Sequence, residues 1–302
     1  MHEIRAKAIL SAQNGMNIYR GCQHGCIYCD ARSTCYQMDH AFEDIAVKMN
    51  APQLLEQALL HKRKRCMIGT GSMSDPYIPL EKELGLTRKC LELILQYGYG
   101  LAIQTKSDLI LRDLDLLRQI SHTTKCVVQM TMTTYDEELC KVLEPGVCTT
   151  KRRFEVLDIL RQEGIPTICW MTPILPFIND TRENIEGLLD YCIRAKVYGI
   201  LEFGIGLTLR DGDRQYFYAQ LDRHFPGMKE RYQRAYGNQY ELPSKEQEAL
   251  LQLIRHTCAQ NGIVNGAENL FSYIHTFEDK AAGEQLSFLG SDYKSRTYFD
   301  TK

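Results

Sequence analysis

The sequence predicts an α/β fold: a partial (β/α)6 barrel of the TIM type, followed by a helical C-terminal extension. Two observations support this prediction. Short apolar runs of strand length alternate with helical patterns, and the apolar runs are continuous, as expected of parallel strands covered on both faces. Six such runs precede residue 208, fewer than the eight strands of a closed barrel. An open α/β sheet fits the same periodicity almost as well.

The predicted strands and helices follow one another along the first two thirds of the chain. The strands are predicted at Gly15–Tyr19, Arg65–Gly69, Gly100–Gln104, Cys126–Met132, Pro166–Met171 and Gly199–Ile205. The helices are predicted at Ala51–His61, Thr87–Tyr97, Leu109–Ile120, Lys151–Glu163 and Asn184–Ala195. In the first helix one apolar face is formed by Leu54, Leu55, Ala58 and Leu59. Strands separated by helices in this way indicate βα units.

The last third of the chain has a different pattern. Residues 1–207 form the predicted core, and residues 208–276 form the helical extension, which is rich in tyrosine near its start. Ser244–Asn261 is predicted as a helix with Ser244 as its N-cap. Residues 277–302 are polar and loosely patterned, so we expect a tail there.

Composition limits the classes of protein to which the chain could belong. It has 302 residues, 44% of them hydrophobic, and a net charge of -2, so the charge balance does not require nucleic acid as a partner. No apolar run approaches the ~20 residues that span a bilayer, and no signal peptide is evident, so we expect a cytoplasmic protein. Nine of its twelve cysteines are scattered, and we expect most of these to pack in the core.

The other three cysteines are clustered in the stretch NIYRGCQHGCIYCDAR. Cys22, Cys26 and Cys29 have the spacing C-x3-C-x2-C. Cysteine thiolates are the usual ligands of iron–sulfur clusters, and three of them leave one iron of a four-iron cluster open for chemistry. A zinc site completed by His24 or Cys35 is an alternative, although this spacing is unusual for zinc, and chance clustering is another.

The motif C-x3-C-x-aromatic-C, placed after a first strand and before a series of βα units, resembles the radical S-adenosylmethionine (radical SAM) superfamily. The resemblance extends from about Asn14 to Leu207. It implies a [4Fe–4S] cluster on the three clustered cysteines, with S-adenosylmethionine (SAM) bound to the open iron and Tyr28 against the adenine. It also implies reductive cleavage of SAM to a 5′-deoxyadenosyl radical, which abstracts hydrogen from a substrate. A reductant such as flavodoxin or ferredoxin would supply the electron.

Further motifs resemble the branch of this superfamily related to spore photoproduct lyase. They are GTGSMSDPYIPLE from Gly69, QTKSDLILRD from Gln104, QMTMTT from Gln129 and LEPGVCTTKRR from Leu143. The glycine-rich segment permits close backbone approach to a ligand, and in the superfamily it meets the SAM amino group.

The resemblance implies a SAM-binding role for several residues of these motifs. Lys106 would bind the SAM carboxylate, Thr131 would replace a serine that contacts SAM, and Ser107 would be a neighbour. The cofactor-binding set further includes Gly69, Gly71 and Ser72. Without the resemblance, Lys106 would be interpreted as a solvent-exposed loop lysine. Arg152 and Arg153 remain open between a functional role and a pair on a helix surface.

Two residues depart from the pattern of that branch. Ser72 stands where a cysteine returns a hydrogen atom to the substrate, and Asp30 stands where a relay tyrosine is expected. An O–H bond is much stronger than an S–H bond, so a serine cannot be that donor. Cys35 or Cys66 could substitute as donor if the fold brings either one close.

The tail contains a short stretch similar to the bacterial sliding-clamp binding peptide, formed by Gln285, Leu286, Ser287, Phe288 and Leu289. Such peptides insert apolar anchors into a hydrophobic groove. The last two residues are swapped relative to the usual peptide. The alternative is that these apolar residues pack back on the barrel.

The sequence therefore predicts a radical SAM enzyme, lyase-like in its relationship, whose substrate is a modified or damaged nucleic acid. A radical SAM enzyme acting on a small metabolite or peptide is the alternative within the superfamily. A third interpretation is a non-catalytic, metal-stabilised adaptor of the DNA sliding clamp, which would have no need of a SAM site.

Overall fold

The computed structural model describes residues 1–280. Within this range the strands are β1 (His2–Ile4), β2 (Gly15–Met16), β3 (Tyr19–Arg20), β4 (Ala46–Lys48), β5 (Met67–Thr70), β6 (Gly100–Thr105), β7 (Cys126–Thr131), β8 (Thr167–Trp170), β9 (Gly199–Leu201), β10 (Gly206–Thr208), β11 (Glu241–Pro243) and β12 (Val264–Asn265). The helices are α1 (Ala51–His61), α2 (Glu81–Leu84), α3 (Leu86–Gln96), α4 (Leu114–Thr123), α5 (Glu137–Leu143), α6 (Thr150–Gln162), α7 (Arg182–Arg194), α8 (Asp213–His224), α9 (Met228–Tyr236), α10 (Gln247–Asn261) and α11 (Ala267–His275).

The centre of the fold is a parallel sheet that confirms the predicted partial barrel. Its described strands lie in the order β12–β9–β8–β7–β6–β5–β2, and each neighbouring pair is parallel. Six of these strands, β2 and β5 to β9, correspond to the six predicted from sequence, and those that follow one another in this series are neighbours in the sheet. Helices α3, α4, α6 and α7 connect them, as expected for βα units.

Several predicted boundaries were wrong for local reasons. The first predicted strand stops at Met16, and Tyr19–Arg20 pairs instead with β4 in a small separate sheet that also contains β1. The sixth ends at Leu201, and Gly204, with φ at +89°, turns the chain soon afterwards. Helix α10 begins at Gln247, because the Ser244 hydroxyl accepts a hydrogen bond from the Glu246 N–H and caps the turn before the helix.

The sheet has two buried faces with different partners. Leu101, Ile103 and Val128 belong to a large core cluster that also contains the apolar faces of the surrounding helices. Ala102 and Val127, which alternate with them along β6 and β7, belong to a second cluster formed with α11. Burial on both faces explains why the strand sequences are continuously apolar.

The C-terminal extension contributes to the barrel itself, which sequence reasoning did not predict. Strand β12 pairs in parallel with β9 and extends the sheet. Helix α11 then packs against the inner face of the sheet through Leu270 and Ile274, which are almost completely buried. A side chain at Gly199 would overlap Leu270, so the helix and strand approach as closely as a glycine permits.

Helices α8 and α9 contribute to a third hydrophobic cluster, which also includes residues of the cysteine-rich loop. Phe217, Leu221 and Tyr232 from these helices pack together with Ile27 and Tyr28 from the cysteine-rich loop. The Tyr232 hydroxyl donates a hydrogen bond to the Pro176 carbonyl oxygen at 2.6 Å. The first half of the extension is therefore positioned to support the loop that contains the clustered cysteines.

All twelve cysteines lie within the described residues, and none of them forms a disulfide. Of the nine scattered ones, six are buried, as expected for core packing: Cys90, Cys126, Cys140, Cys169, Cys192 and Cys258. Cys66 and Cys148 are half-buried, and Cys35 is exposed. No helix in residues 1–280 is long and apolar enough to cross a bilayer.

The packing of α11 inside the barrel generates a prediction about stability. Leu270→Ala should lower the free energy of unfolding by about 2–5 kcal/mol, because the substitution leaves a cavity between helix and sheet. The matched control is Leu60→Ala in α1, where the leucine is 60% exposed, and it should change stability by less than about 0.5 kcal/mol. Urea denaturation with the cysteines kept reduced measures both. Equal effects would show that α11 is not part of the cooperative core.

Candidate cofactor and substrate site

A cavity of about 700 Å³ opens at the end of the sheet where the strands finish. Successive strands contribute residues to its lining: Gly71 after β5, Lys106 after β6, Thr131 at the end of β7, Thr172 after β8 and Phe203 after β9. The carboxyl ends of parallel strands meet at one edge of a sheet, so residues far apart in sequence converge there.

The cysteine-rich loop forms one side of this cavity, which Cys22, Cys26 and Cys29 all line. The Cys22 N–H donates a hydrogen bond to the Phe42 carbonyl at 3.3 Å. Gly21, with φ at +93°, lies so close to the same carbonyl that a side chain would overlap it. A glycine is therefore required for the loop to turn back and bring its thiols to the cavity.

The segment Leu143–Gly146, which reads LEPG, holds the other half of the loop. The Leu143 carbonyl accepts a hydrogen bond from the Ile27 N–H at 3.0 Å, and the Gly146 N–H donates one to the His24 carbonyl at 2.8 Å. A side chain at Gly146 would come within 2.7 Å of that same carbonyl oxygen. The motif therefore runs alongside the cysteine loop and fixes its backbone.

A buried ion pair stands behind this segment. The Arg153 guanidinium contacts the Glu144 carboxylate at 2.6 Å, and both side chains are almost completely inaccessible. Burial opposes ionisation of Glu144, but Arg153 and then Lys106 outweigh it, and the pKa of Glu144 is lowered. The other carboxylate oxygen accepts a hydrogen bond from the Tyr28 hydroxyl. Arg153 also donates to the Thr131 carbonyl at 3.0 Å, which connects the loop to the end of β7.

The two arginines that sequence reasoning left open therefore have different environments. Arg153 is completely buried, contacts the Thr131 carbonyl directly and supports Tyr28 through Glu144. Arg152 is on the surface of α6, where it forms ion pairs with Asp108 and Glu155. The surface interpretation holds for Arg152 alone.

Asp75 connects the cysteine loop to strands β5 and β6, and sequence reasoning gave it no role of its own. Its carboxylate lies 3.0 Å from His24 Nε2 and accepts hydrogen bonds from the Thr105 hydroxyl at 2.7 Å and from the N–H groups of Tyr77 and Lys106 at 2.8 Å. Burial opposes its ionisation, but His24 and these hydrogen bonds outweigh it and lower the pKa of Asp75 to about 2. The carboxylate is therefore ionised at neutral pH.

The chemistry of the three thiols fits an iron–sulfur cluster. Burial raises the pKa of Cys22 to about 12 and also raises the pKa values of Cys26 and Cys29. A metal displaces the proton of a ligating thiol, and thiolates are the usual ligands of iron–sulfur clusters. Lys106 supplies positive charge that partly offsets the burial of Cys26 and Cys29.

The fourth ligands proposed for a zinc site are engaged elsewhere. His24 pairs with Asp75, and the Cys35 sulfur accepts a hydrogen bond from Arg210 at 3.2 Å. Within residues 1–280, no group of three or more His, Cys, Asp or Glu side chains is arranged to hold a single metal ion. The geometry therefore gives no support to the zinc alternative.

Lys106 is half-buried beside the thiols. Its ammonium nitrogen lies 5.9 Å from the centre of the Tyr28 ring. Burial alone would lower its pKa, but Cys26, Glu144 and Cys29 outweigh burial, and the pKa of Lys106 is raised. A fixed positive charge in this position is suited to a carboxylate ligand.

The remaining predicted cofactor residues divide into two groups. Gly71, Ser72 and Thr131 line the cavity, as does Tyr28. Gly71 has φ at +102°, and a side chain there would overlap the Gln104 carbonyl, so only glycine fits.

Gly69 and Ser107 do not belong to the cavity lining. Gly69 lies within β5, and no described atom lies within 4 Å of the place a side chain would occupy. The Ser107 hydroxyl accepts a hydrogen bond from the Leu109 N–H at 3.2 Å and so caps the 3-10 helix Asp108–Asp113. Polar capping is a local role that its position beside Lys106 did not reveal.

The profile of the Radical SAM superfamily matches residues 16–192, more than half of the chain. The chain belongs to the radical SAM superfamily. Its members use a [4Fe–4S] cluster and SAM, and they need a reductant. This agrees with the cavity, in which the three clustered cysteines lie beside a lysine and a glycine that tolerates no side chain.

The chain also has curated relatives whose function is not described. The chain is 29% identical over 256 residues to an uncharacterized protein of Mycobacterium tuberculosis, covering 83% of this chain and 75% of the relative. It is 35% identical over 179 residues to an uncharacterized protein of Methanocaldococcus jannaschii, covering 59% of this chain and 66% of that relative.

Solved structures confirm the predicted resemblance to spore photoproduct lyase at the level of the fold. One mutant of that radical SAM enzyme has a TM-score of 0.62 and 14% identity, covering 87% of this chain and 79% of the other. Another, solved with bound AdoMet and dinucleoside spore photoproduct, has a TM-score of 0.58 and 14% identity, covering 81% and 72%.

Within this radical SAM cavity, neither suggested substitute for the hydrogen-donor cysteine is present. Ser72 and Asp30 both line the cavity, whereas Cys35 and Cys66 do not. The half-buried Cys148 donates a hydrogen bond to the Lys106 carbonyl at 3.3 Å but also lies outside the lining. The clamp-like peptide at residues 285–289 lies outside the described residues.

The contrast between the adjacent arginines of α6 can be tested directly. Arg153→Ala should lower the free energy of unfolding by about 3–5 kcal/mol, because it leaves the Glu144 carboxylate buried without its partner. Arg152→Ala, on the same helix, should cost less than about 1 kcal/mol, because its ion pairs are partly exposed. Chemical denaturation of both variants measures the difference. If both substitutions lowered the free energy of unfolding equally, Arg153 would not support Glu144 and the end of β7 in the way described.

Proposed function

We propose that this radical SAM protein is an enzyme that abstracts hydrogen from a modified or damaged nucleic acid. The observation that most supports catalysis is the single cavity that Cys22, Cys26, Cys29 and Lys106 line together with free volume beside them. A structural metal site is closed by its ligands, whereas a catalytic one keeps an open position.

Five residues of the cavity have a proposed task. Cys22, Cys26 and Cys29 hold the cluster, and Lys106 binds the SAM carboxylate by charge and hydrogen bonding. Tyr28, whose hydroxyl is fixed by Glu144, lies against the adenine. When bound, the cluster and SAM supply a 5′-deoxyadenosyl radical once an electron arrives from a reductant such as flavodoxin or ferredoxin.

Tight backbone packing prepares the site for SAM. Gly71 packs against the Gln104 carbonyl, where no side chain fits, which leaves the glycine backbone facing the cavity. Ser72 and Thr131 add hydroxyl groups to the same lining. Gly71 and Ser72 would therefore bind the amino end of SAM, and Lys106 would bind its carboxylate.

The nucleic-acid substrate is supported by the similarity of the fold to spore photoproduct lyase. A small metabolite or peptide remains the alternative within the superfamily. The non-catalytic adaptor is disfavoured because it needs neither the cavity of about 700 Å³ nor Lys106 within it. Docking to a sliding clamp rests on the sequence of residues 285–289 alone.

The proposed role of Lys106 leads to a binding prediction. Lys106→Ala should weaken SAM binding about tenfold or more, because a charge-assisted contact of about 1.5–3 kcal/mol is lost. The iron content of the Lys106→Ala variant should stay at the wild-type value. Lys141→Ala, on the exposed surface of α5, is the matched control and should bind SAM normally. Anaerobic equilibrium binding decides the matter, and unchanged affinity in Lys106→Ala would remove its role.

The substrate class can be tested by following the abstracted hydrogen. Reduced holoenzyme with SAM is incubated with DNA and RNA from cells grown in deuterium oxide, UV-irradiated or not. Deuterium should appear in 5′-deoxyadenosine, as measured by mass spectrometry. Deuterated peptide and metabolite pools serve as matched controls. Deuterium transfer from those pools, and none from nucleic acid, would refute the proposed substrate and favour the alternative.

A further inference from the structure

One side of the cavity has an aromatic wall formed by Trp170 and Phe203, and the ring of Phe271, outside the lining, packs against both. The ring centres of Trp170 and Phe203 are 5.7 Å apart at an angle of 65°, and those of Phe203 and Phe271 are 6.2 Å apart and nearly parallel. Phe203 is 57% exposed, although large apolar side chains are usually covered. Trp170 and Phe203 line the same cavity as the three clustered cysteines.

Hydrogen bonds fix the positions of Trp170 and of the turn that follows Phe203. The Trp170 indole N–H donates a hydrogen bond to the Gln129 side-chain oxygen at 2.9 Å. The turn after Phe203 is fixed by the Ile205 N–H, which donates to the Gln247 side chain at 3.1 Å, and by the Gly204 N–H, which donates to Glu202 at 3.1 Å. Because this turn is fixed, the exposed Phe203 ring is already held in place before a ligand binds, as expected of a binding surface.

Gln104, whose side chain ends in a primary amide, belongs to the same cavity. Gln104 contributes to the lining and has no hydrogen-bond partner for its side chain within residues 1–280. A primary amide presents a donor and an acceptor side by side, which matches the edge of a nucleobase. Stacking on the aromatic wall and pairing with an amide are complementary, because the first uses the face of a ring and the second uses its edge.

The size and charge of the cavity favour a single base over a duplex as its occupant. A cavity of about 700 Å³ is of the size that holds small-molecule ligands. A base that reacts in such a cavity must leave the stack, as in other enzymes that act on bases. Lys106 is the sole lysine or arginine of the cavity lining within the described residues. Binding should therefore depend on stacking rather than on contacts to many phosphates.

We infer that Trp170, Phe203 and Gln104 form a subsite for a single unstacked nucleobase of the substrate, with the base on the Phe203 ring and its edge at the Gln104 amide. This inference rests on the proposed function, since it specifies how the nucleic acid would be presented. It predicts a preference for single-stranded over duplex nucleic acid and a shallow dependence of affinity on salt.

The test uses the reconstituted holoenzyme with SAM and short single-stranded DNA containing 2-aminopurine, whose fluorescence is quenched when it stacks. Phe203→Leu keeps apolar volume but removes the ring, and should weaken binding about 5- to 150-fold. Phe203→Tyr keeps the ring and is the matched control, expected within about twofold of wild type. Iron content and circular dichroism confirm that both variants fold.

The outcomes separate this inference from the proposed function. Weak binding by Phe203→Leu alone, with the duplex form bound about tenfold or more weakly by wild type, supports the subsite. Equal binding by Phe203→Leu and wild type, equal binding of duplex and single strand, or an unchanged 2-aminopurine fluorescence on adding the holoenzyme would overturn it. Failure of the wild-type holoenzyme to cleave SAM with every nucleic acid tested would instead overturn the proposed function, whatever the binding result.

Discussion

The buried ion pair between Arg153 and Glu144 is the interaction on which the geometry of the site depends most. Removing both charges from water is costly, and it is offset only where the geometry is good and the remaining polar atoms find partners. Here Glu144 also accepts a hydrogen bond from the Tyr28 hydroxyl, and Arg153 Nη1 also donates to the Thr131 carbonyl. The pair is only partly satisfied, because the buried Nε and Nη2 of Arg153 have no hydrogen-bond partner within residues 1–280. One contact between α6 and the LEPG segment thus positions residues on both sides of the cavity. The flanking carbonyl of Leu143 then fixes the cysteine loop through a backbone hydrogen bond.

A second buried charge, Asp75, joins the opposite edge of the loop to the strands. It contacts His24 from the cysteine loop and the backbone of Lys106 from the end of β6. The loop is therefore fixed at two points before any cofactor binds, and the thiols of Cys26 and Cys29 face a cavity with Lys106 at its side. Preorganisation of this kind lowers the cost of ordering the loop around a cluster. No cysteine beyond the clustered three lines the cavity within residues 1–280.

The sequence predicted the features that local patterns encode. Continuous apolar runs predicted the six consecutive strands of the barrel, and the cysteine spacing led to the superfamily. It did not predict β12 or the position of α11, because a two-residue strand has no recognisable period and the inner face of a barrel can be filled from anywhere in the chain. Arg153 could not be distinguished from Arg152 without knowing which way α6 faces. The capping role of the Ser107 hydroxyl was likewise not predicted, because the sequence suggested only that Ser107 is a neighbour of Lys106.

The central claim is that Cys22, Cys26 and Cys29 hold a catalytic cluster, and one anaerobic measurement tests it most directly. Wild type, Cys26→Ala and Cys35→Ala are reconstituted with iron and sulfide, assayed for iron, then given a strong reductant and SAM, and 5′-deoxyadenosine is quantified by chromatography. The account predicts about four irons per chain and product formation in wild type and Cys35→Ala, and neither in Cys26→Ala. Four irons and undiminished product in Cys26→Ala, or loss of the metal site in Cys35→Ala, would contradict it.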